Sequence, residues 1–262
     1  MHRIDLNCDM GESFGVYTLG ADRDVLQFVT SANIACGFHA GDPLVMDRTV
    51  KMAAAHGVGV GAHPGFPDLT GFGRRIMDCS PREIKDYVIY QIGAITAFCG
   101  IHGVALQHVK PHGSLYNMAV GNEPVARSLI EALAAVDGNL ILVTLAGRHG
   151  DLMARIGKDT GIRIAMEAFP DRAYTSEGAL VSRRHPGAVV RDPAEAAERA
   201  VRMVKERRII AVDGSSIDIE AHTLCIHGDT PSAVEFSRRI REALETDGVQ
   251  VLPLARRFSA RD

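Results

Sequence analysis

Ile4-Asp5-Leu6-Asn7-Cys8-Asp9-Met10-Gly11-Glu12 alternates apolar and polar side chains from Ile4 to Met10. Successive residues of an extended strand point to opposite faces. Asp5, Asn7 and Asp9 therefore share one face, and Leu6, Cys8 and Met10 the other. At the edge of an open sheet the polar face would lie in water. A closed barrel has no edge, and there the same face points inward, toward a site. The rest of the chain decides between the two.

Strand-like runs fall at residues 4–9, 32–36, 58–62, 104–109, 140–145, 163–168 and 223–226, seven in all. Helical patterns separate them. Asp42-Pro43 opens one that runs to His56, and Gly57 stops it. Ser80-Pro81-Arg82-Glu83 is a capping box leading to about Ile101. Asn122-Glu123-Pro124 opens the next, which Gly138 ends. Asp192-Pro193 opens another, to about Arg207, and Thr230-Pro231 opens the last, ended by Gly248. Strand, helix, strand, repeated, implies parallel strands joined by crossover helices. Near-equal repetition favours a closed barrel over an open doubly wound sheet. A chain of 262 residues suits a single (β/α) barrel, which takes roughly 250. The expected architecture is one α/β domain, residues 1–262, forming a seven-stranded (β/α) barrel. Two stretches break the rhythm. Residues 175–190 carry Gly178, Pro186 and Gly187, and residues 209–220 place two short apolar runs around Asp213-Gly214, a hairpin signal. Both read as insertions over the mouth of the barrel. Residues 256–262 read as a frayed terminus.

Composition narrows the function. Hydrophobic residues make up 46% and charged residues 23%, with a net charge of −3, so no basic stripe points to nucleic acid. No apolar run is long enough for a membrane span. The chain passes from Met1 directly into a strand pattern without an apolar leader, which predicts a cytosolic protein. The five cysteines, Cys8, Cys36, Cys79, Cys99 and Cys225, show no CxxC spacing. Neither a disulfide framework nor a thiolate zinc site is expected. Cys8, Cys36 and Cys225 read as small buried hydrophobes.

A barrel gathers its strand ends at one rim, where such folds carry their active sites. Here those ends are polar. Asn33 lies in the second strand. Gly37 and Gly41 let the backbone turn beside a ligand, Asp42 caps a helix, and His39 between them has no structural duty. His63 follows the third strand. His108, Lys110 and His112 share a face at the end of the fourth. Glu167 and then Asp171-Arg172 end the sixth, and His227 ends the seventh. A lone histidine is more often a satisfied core residue, but four strand ends carrying His39, His63, His112 and His227 point to a site. His56 and His102 precede glycines at helix ends and read as structural. Carboxylates and histidines serve as general bases and acids, and Lys110 could polarise a carbonyl or hold an anion. Histidine and aspartate also ligate zinc, although no compact HExxH motif is present. Ser114 lacks the GxSxG setting of a nucleophile elbow. Without GxxxxGK[ST] or a GxGxxG after a strand, a self-contained P-loop ATPase is not expected.

Several blocks resemble one family in order along nearly the whole chain. They are Asp5-Leu6-Asn7-Cys8-Asp9-Met10-Gly11-Glu12-Ser13-Phe14-Gly15, Ser31 through Asp42, Gly61-Ala62-His63-Pro64, and Val109-Lys110-Pro111-His112-Gly113-Ser114-Leu115-Tyr116-Asn117. Phe169 with Asp171-Arg172-Ala173-Tyr174 and Cys225-Ile226-His227-Gly228-Asp229 complete the set. The family is that of the 5-oxoprolinase A subunit, the LamB/YcsF lactam-utilisation family. The resemblance implies a (β/α) barrel akin to the glycoside hydrolase and deacetylase group. It implies hydrolytic opening of 5-oxo-L-proline to L-glutamate, coupled to ATP (with magnesium) and carried out with partner subunits B and C. The residues do not decide which subunit holds the ATP. In this reading Asp9 or Glu12 is the general base, and Lys110 and His112 stabilise the oxyanion or a phosphorylated oxygen. Asn7, Asn33, His39, His63 and His227 position the lactam, and Arg172 holds its carboxylate in a bidentate pair. A metal, if one is held, falls to Asp9, His39, His63 and His227.

Two other readings fit the same residues. One is a metal-dependent, deacetylase-like hydrolase of acylated sugars or amines, which bound zinc would favour. The other is a non-catalytic subunit that binds lactam and presents it to catalytic partners.

Overall fold

The computed structural model describes residues 1–226 and 232–259. Six strands come first: β1 (Arg3–Met10), β2 (Ser31–Ala35), β3 (Gly59–His63), β4 (Leu106–Val109), β5 (Ile141–Leu145) and β6 (Arg163–Ala168). A hairpin of β7 (Arg208–Ile210) and β8 (Ser216–Asp218) precedes the last barrel strand, β9 (Thr223–Ile226). Each of β1 to β5 pairs in parallel with the next, β6 pairs with β9, and β9 pairs back onto β1. The result is the closed seven-stranded barrel that the repetition predicts. A two-residue strand, β10 (Gln250–Val251), pairs with Arg3 and Ile4 at the start of β1.

Helices surround the barrel: α1 (Asp22–Val25), α2 (Pro43–Ala55), α3 (Pro81–Ile101), α4 (Gly113–Gly121), α5 (Glu123–Val136), α6 (Asp151–Thr160), α7 (Pro193–Lys205), α8 (Ala233–Thr246) and α9 (Leu254–Ser259). Their starts follow the capping chemistry of the sequence. Asp42 accepts from Leu44 N and Val45 N, Asn122 from Val125 N, and Asp192 from Ala194 N. Ser80 and Glu83 close a reciprocal capping box. Thr230 and Pro231, expected to open α8, lie outside the described residues. No helix among the described residues is long and apolar enough to cross a membrane.

The alternation in β1 separates two environments. Leu6, Cys8 and Met10 are at most 1% exposed and join the apolar layer between barrel and helices. Asp5 and Asn7 are equally buried but point into the barrel. At the lower end of β5 and β6 the lining is apolar, where Ile141, Val143 and Ala165 pack on Leu254 of α9, with Phe258 beside them. This corrects the expectation of a frayed terminus. Leu254 anchors the helix to that cluster, so residues 256–259 are helical, while 260–262 lie outside the described residues. The hairpin forms as expected but does not cover the mouth. It packs on the flank, with Ile209 and Ile219 buried and Val212 N donating to Tyr174 O.

Asp5 sits lowest of the inward polar groups. Its Oδ1 accepts from the Thr30 and Ser31 hydroxyls, at 2.8 and 2.6 Å, and its Oδ2 accepts from Thr223. Burial pushes its pKa from 3.8 up to about 6, against the opposing pull of those hydroxyls. A carboxyl whose folded pKa is raised binds its proton more tightly in the fold than in the unfolded chain. It therefore supports the fold most at low pH, and that support falls as pH rises from about 4 to 6. We predict that urea unfolding of wild type and Asp5→Asn will diverge over this window. The wild type should lose up to about 3 kcal/mol relative to the variant between pH 4 and 6, with no further change above.

Candidate active site

Above Asp5 the barrel interior is a continuous polar network. Asn7 Nδ2 donates to Glu167 Oε1 (3.0 Å) and Thr223 Oγ1 (2.7 Å). Asn33 Nδ2 donates to Asn7 Oδ1 (2.7 Å) and Asp9 Oδ1 (2.8 Å). The Lys110 ammonium is the hub. It lies 2.9 Å from Asp9 Oδ1, 2.9 Å from Glu167 Oε1, 3.1 Å from Cys225 Sγ and 3.3 Å from Asn7 Oδ1. Tyr116, from α4, donates its hydroxyl to the other Glu167 oxygen at 2.9 Å. Burial disfavours the Lys110 charge, but Asp9, Cys225 and Glu167 outweigh it and hold the ammonium well above the ordinary lysine pKa. Burial likewise disfavours the Asp9 carboxylate, yet the pull of His63 and Lys110 holds it well below the usual range. Lys110 is thus a lysinium between two carboxylates, with Glu167 fully buried and Asp9 partly exposed toward the cavity.

Missing side chains on β3 make room for this network. Pairing of β3 with β4 slips by one residue between Val60 and Gly61, so Gln107 lies over Gly59 and His108 over Gly61. A Cβ on either glycine would overlap the ring or amide above it. His108 Nε2 donates to Asn33 Oδ1 at 2.6 Å. Burial first, and Lys110 second, push His108 down to about 3, which keeps it neutral.

A second group sits beside the first. The His39 and His112 rings stack with centroids 3.7 Å apart and planes 4° apart, and His63 meets His112 edge-on. Two glycines shape this pocket. Gly73 has φ 62°, and a Cβ there would lie 2.7 Å from His39 Cβ and 2.9 Å from His112 Cδ2. Gly65 likewise leaves space for His39. Glu12 Oε1 is 3.7 Å from His39 Nε2 and 3.8 Å from His112 Nδ1. Asp9 Oδ2 is 3.4 Å from His63 Nε2 and joins the two groups. Burial holds His39 well below the usual histidine range and His112 down at about 3. Glu12, His39, His63 and His112 place four donor atoms within 4.8 Å of one another, a spacing that could hold a metal ion.

Both groups open into a cavity of about 560 Å³ at the C-terminal ends of the strands. Asp9, Lys110, His63 and His112 line it together with Arg74, Arg172, Arg183 and Arg184, the last two carried by the insertion expected over the mouth. The barrel thus brings together Asn7, Asp9, Glu12, Asn33, His39, His63, Lys110 and His112. Arg172 also faces the cavity, with Nε and Nη2 donating to the Ala188 and Val181 carbonyls and tying down the insertion. His227 lies outside the described residues. Glu167, fully buried at the hub, carried no assigned role in the sequence, although alternation from Ala165 places it inward. Tyr116 gave no signal beyond its place in a motif. Cys225 is buried in the apolar core as expected, and its thiol also meets Lys110 Nζ at 3.1 Å.

Comparison with known proteins follows the same outline. The LamB/YcsF family matches residues 4–259. The 5-oxoprolinase A subunit of Syntrophobacter fumaroxidans is 53% identical over 252 residues, covering 96% of this chain and 98% of that protein. The crystal structure of the lactam utilization protein of Thermus thermophilus superposes with a TM-score of 0.90 at 49% identity, covering 95% of this chain and 99% of that one. The T48 deacetylase structure reaches a TM-score of 0.51 at 15% identity, covering all of this chain and 92% of its own. At that identity it is a likeness of fold alone.

Because Tyr116 supplies a hydrogen bond to a fully buried carboxylate, its loss should be costly. Tyr116→Phe is expected to lower unfolding free energy in urea by about 1.5–3 kcal/mol, in the range for bonds to charged groups. A loss below about 0.5 kcal/mol would place Glu167 outside the network.

Proposed function

The chain belongs to the LamB/YcsF family, and from that premise we propose that it is the A subunit of an ATP-dependent 5-oxoprolinase. With B and C subunits it opens 5-oxo-L-proline to L-glutamate. The observation that carries this reading is a buried Lys110, flanked by Asp9 and Glu167, that borders a cavity also lined by Arg74, Arg172, Arg183 and Arg184. Such a cavity suits a small, anionic cyclic amide. Names of relatives at about half identity point the same way.

A five-membered lactam is a stable amide, so its hydrolysis has to be driven. In the proposed route the lactam oxygen takes the γ-phosphoryl group of ATP and ADP leaves. Water then adds to the activated ring carbon, collapse breaks the ring C–N bond to give the ring-opened acyl phosphate with a free amine, and a second water hydrolyses that acyl phosphate to L-glutamate and phosphate. Asp9 is placed to deprotonate that water. Lys110 and Asn33 hold its Oδ1, leaving Oδ2 directed toward His63 and the cavity. Glu12, beside His39 and His112, is the second carboxylate of the site. Lys110 bears on the oxygen that develops charge by exchanging its longest contact, to Asn7, for the lactam oxygen, while His112, whose Nε2 hydrogen goes to the Phe72 carbonyl, borders the same cavity without donating to that oxygen. Asn7, Asn33, His39 and His63 fix these groups in place. Carboxylate and phosphoryl charge fall to Arg172 together with Arg74, Arg183 and Arg184. Magnesium-ATP is consumed by the assembled complex.

The test is glutamate release from 5-oxoproline with ATP and magnesium. Release is expected only when this chain is combined with B and C subunits. In that complex Asp9→Asn and Lys110→Ala should each lower kcat by about 10²-fold or more. Full activity of both variants in the assembled complex would overturn the assignment of roles. No release from a demonstrably assembled wild-type complex would overturn the reaction.

A further inference from the structure

Hydrogen bonding around the histidines leaves a contradiction that one bound cation resolves. His63 Nδ1 lies 2.7 Å from the Lys110 carbonyl, and His112 Nε2 lies 2.8 Å from the Phe72 carbonyl. A carbonyl oxygen can only accept, so each of these nitrogens carries the hydrogen. A neutral imidazole has a single N–H. With both rings neutral, the remaining nitrogens, His63 Nε2 and His112 Nδ1, present lone pairs to each other at 2.9 Å, an arrangement that calls for a cation between them, either a proton on His63 facing Asp9 or a metal ion. Beside them His39 is 0% exposed, and neither of its ring nitrogens has a hydrogen-bond partner among the described residues. Its Nε2 faces Glu12 Oε1 at 3.7 Å, too long for a hydrogen bond.

We propose that Glu12, His39, His63 and His112 form a binding site for one divalent transition-metal ion of the zinc or cobalt kind. Three imidazole nitrogens and one carboxylate oxygen favour such ions over magnesium or calcium, which take oxygen donors. The spacing fits. An ion 2.0–2.1 Å from four tetrahedral ligands holds them roughly 3.3 Å apart, and the measured separations include 2.9, 3.7 and 3.8 Å, none above 4.8 Å. The two carbonyls do what partners of ligating histidines do: they fix the tautomer and aim the free nitrogen inward. Stacking of His39 on His112, allowed by Gly65 and Gly73, sets the third nitrogen. Compared with the set expected from the sequence, His112 and Glu12 stand as ligands, Asp9 borders the site through His63, and His227 lies outside the described residues. An ion held there would lie beside the cavity, fixing His63 and His112 at its wall.

The full-length chain, stripped with a chelator and dialysed, is titrated with Zn²⁺ by calorimetry and with Co²⁺ by visible absorption. One ion per chain is expected, with the intense cobalt bands of a four-coordinate site. Glu12→Gln and His112→Ala, each checked for folding by circular dichroism, should weaken binding by about 100-fold or more, beyond the 10–100-fold typical for loss of a group that only supports a ligand. His102→Ala, at the far end of α3 and paired with Asp47, should leave binding unchanged. Wild-type affinity in both site variants overturns the proposal, as does a folded wild-type chain that takes up no ion at millimolar Zn²⁺. If a variant does not fold, the wild-type cobalt spectrum decides, and bands of the six-coordinate aqua ion count against the site. These readouts do not depend on lactam turnover, so this inference and the proposed reaction can fail separately.

Discussion

The Lys110 ammonium is enclosed in a barrel with two carboxylates at 2.9 Å, and most of the interior is arranged around keeping that charge satisfied. An unpaired ion in such a place is costly to bury. Here Asp9 and Glu167 oppose it, Asn7 bridges toward Glu167, Asn33 ties Asn7 to Asp9, and Tyr116 closes the far side of Glu167. These groups come from several different strands and one helix. The network therefore forms only once the barrel has closed, with β9 returning to β1.

Such an interior is a poor device for stability alone. Buried ion pairs replaced by apolar side chains of similar size often leave a protein as stable or more so. Ile141, Val143 and Ala165 show that the same barrel can be filled with apolar groups where it faces α9. Polar residues occupy instead the levels that rise toward the cavity, from Asp5 through Asn7 to Asp9. The arrangement makes sense as positioning. It fixes one oxygen of Asp9 from below and leaves the other facing the histidines and the cavity.

Much of this was legible in the chain. Strict alternation in β1 placed Asp5, Asn7 and Asp9 together, and four helix starts followed from Asp42, Ser80, Asn122 and Asp192, because capping is local chemistry. The histidines at strand ends were legible as a group because parallel barrels bring those ends to one rim. What escaped is non-local. Glu167 meets Asn7 across 160 positions of sequence, and no local pattern marks Tyr116 as its partner. The slip between β3 and β4 that seats His108 over Gly61 depends on the register of two strands. The terminal segment looked frayed because Leu254 gains its helix only by packing on β5 and β6. The resemblance to one family pointed to the site residues as a set, but which of them touch came only from the closed barrel.

The most direct measurement is a double-mutant cycle on Lys110 and Glu167, using Lys110→Met, Glu167→Gln and the pair, each followed by urea unfolding. If the buried lysinium organises the interior, Lys110→Met alone should cost about 3–5 kcal/mol. The double variant should then cost less than the sum of the singles by about 2 kcal/mol or more. Costs that add to within about 0.5 kcal/mol would mean that the two groups are neighbours without being coupled, and would contradict the account.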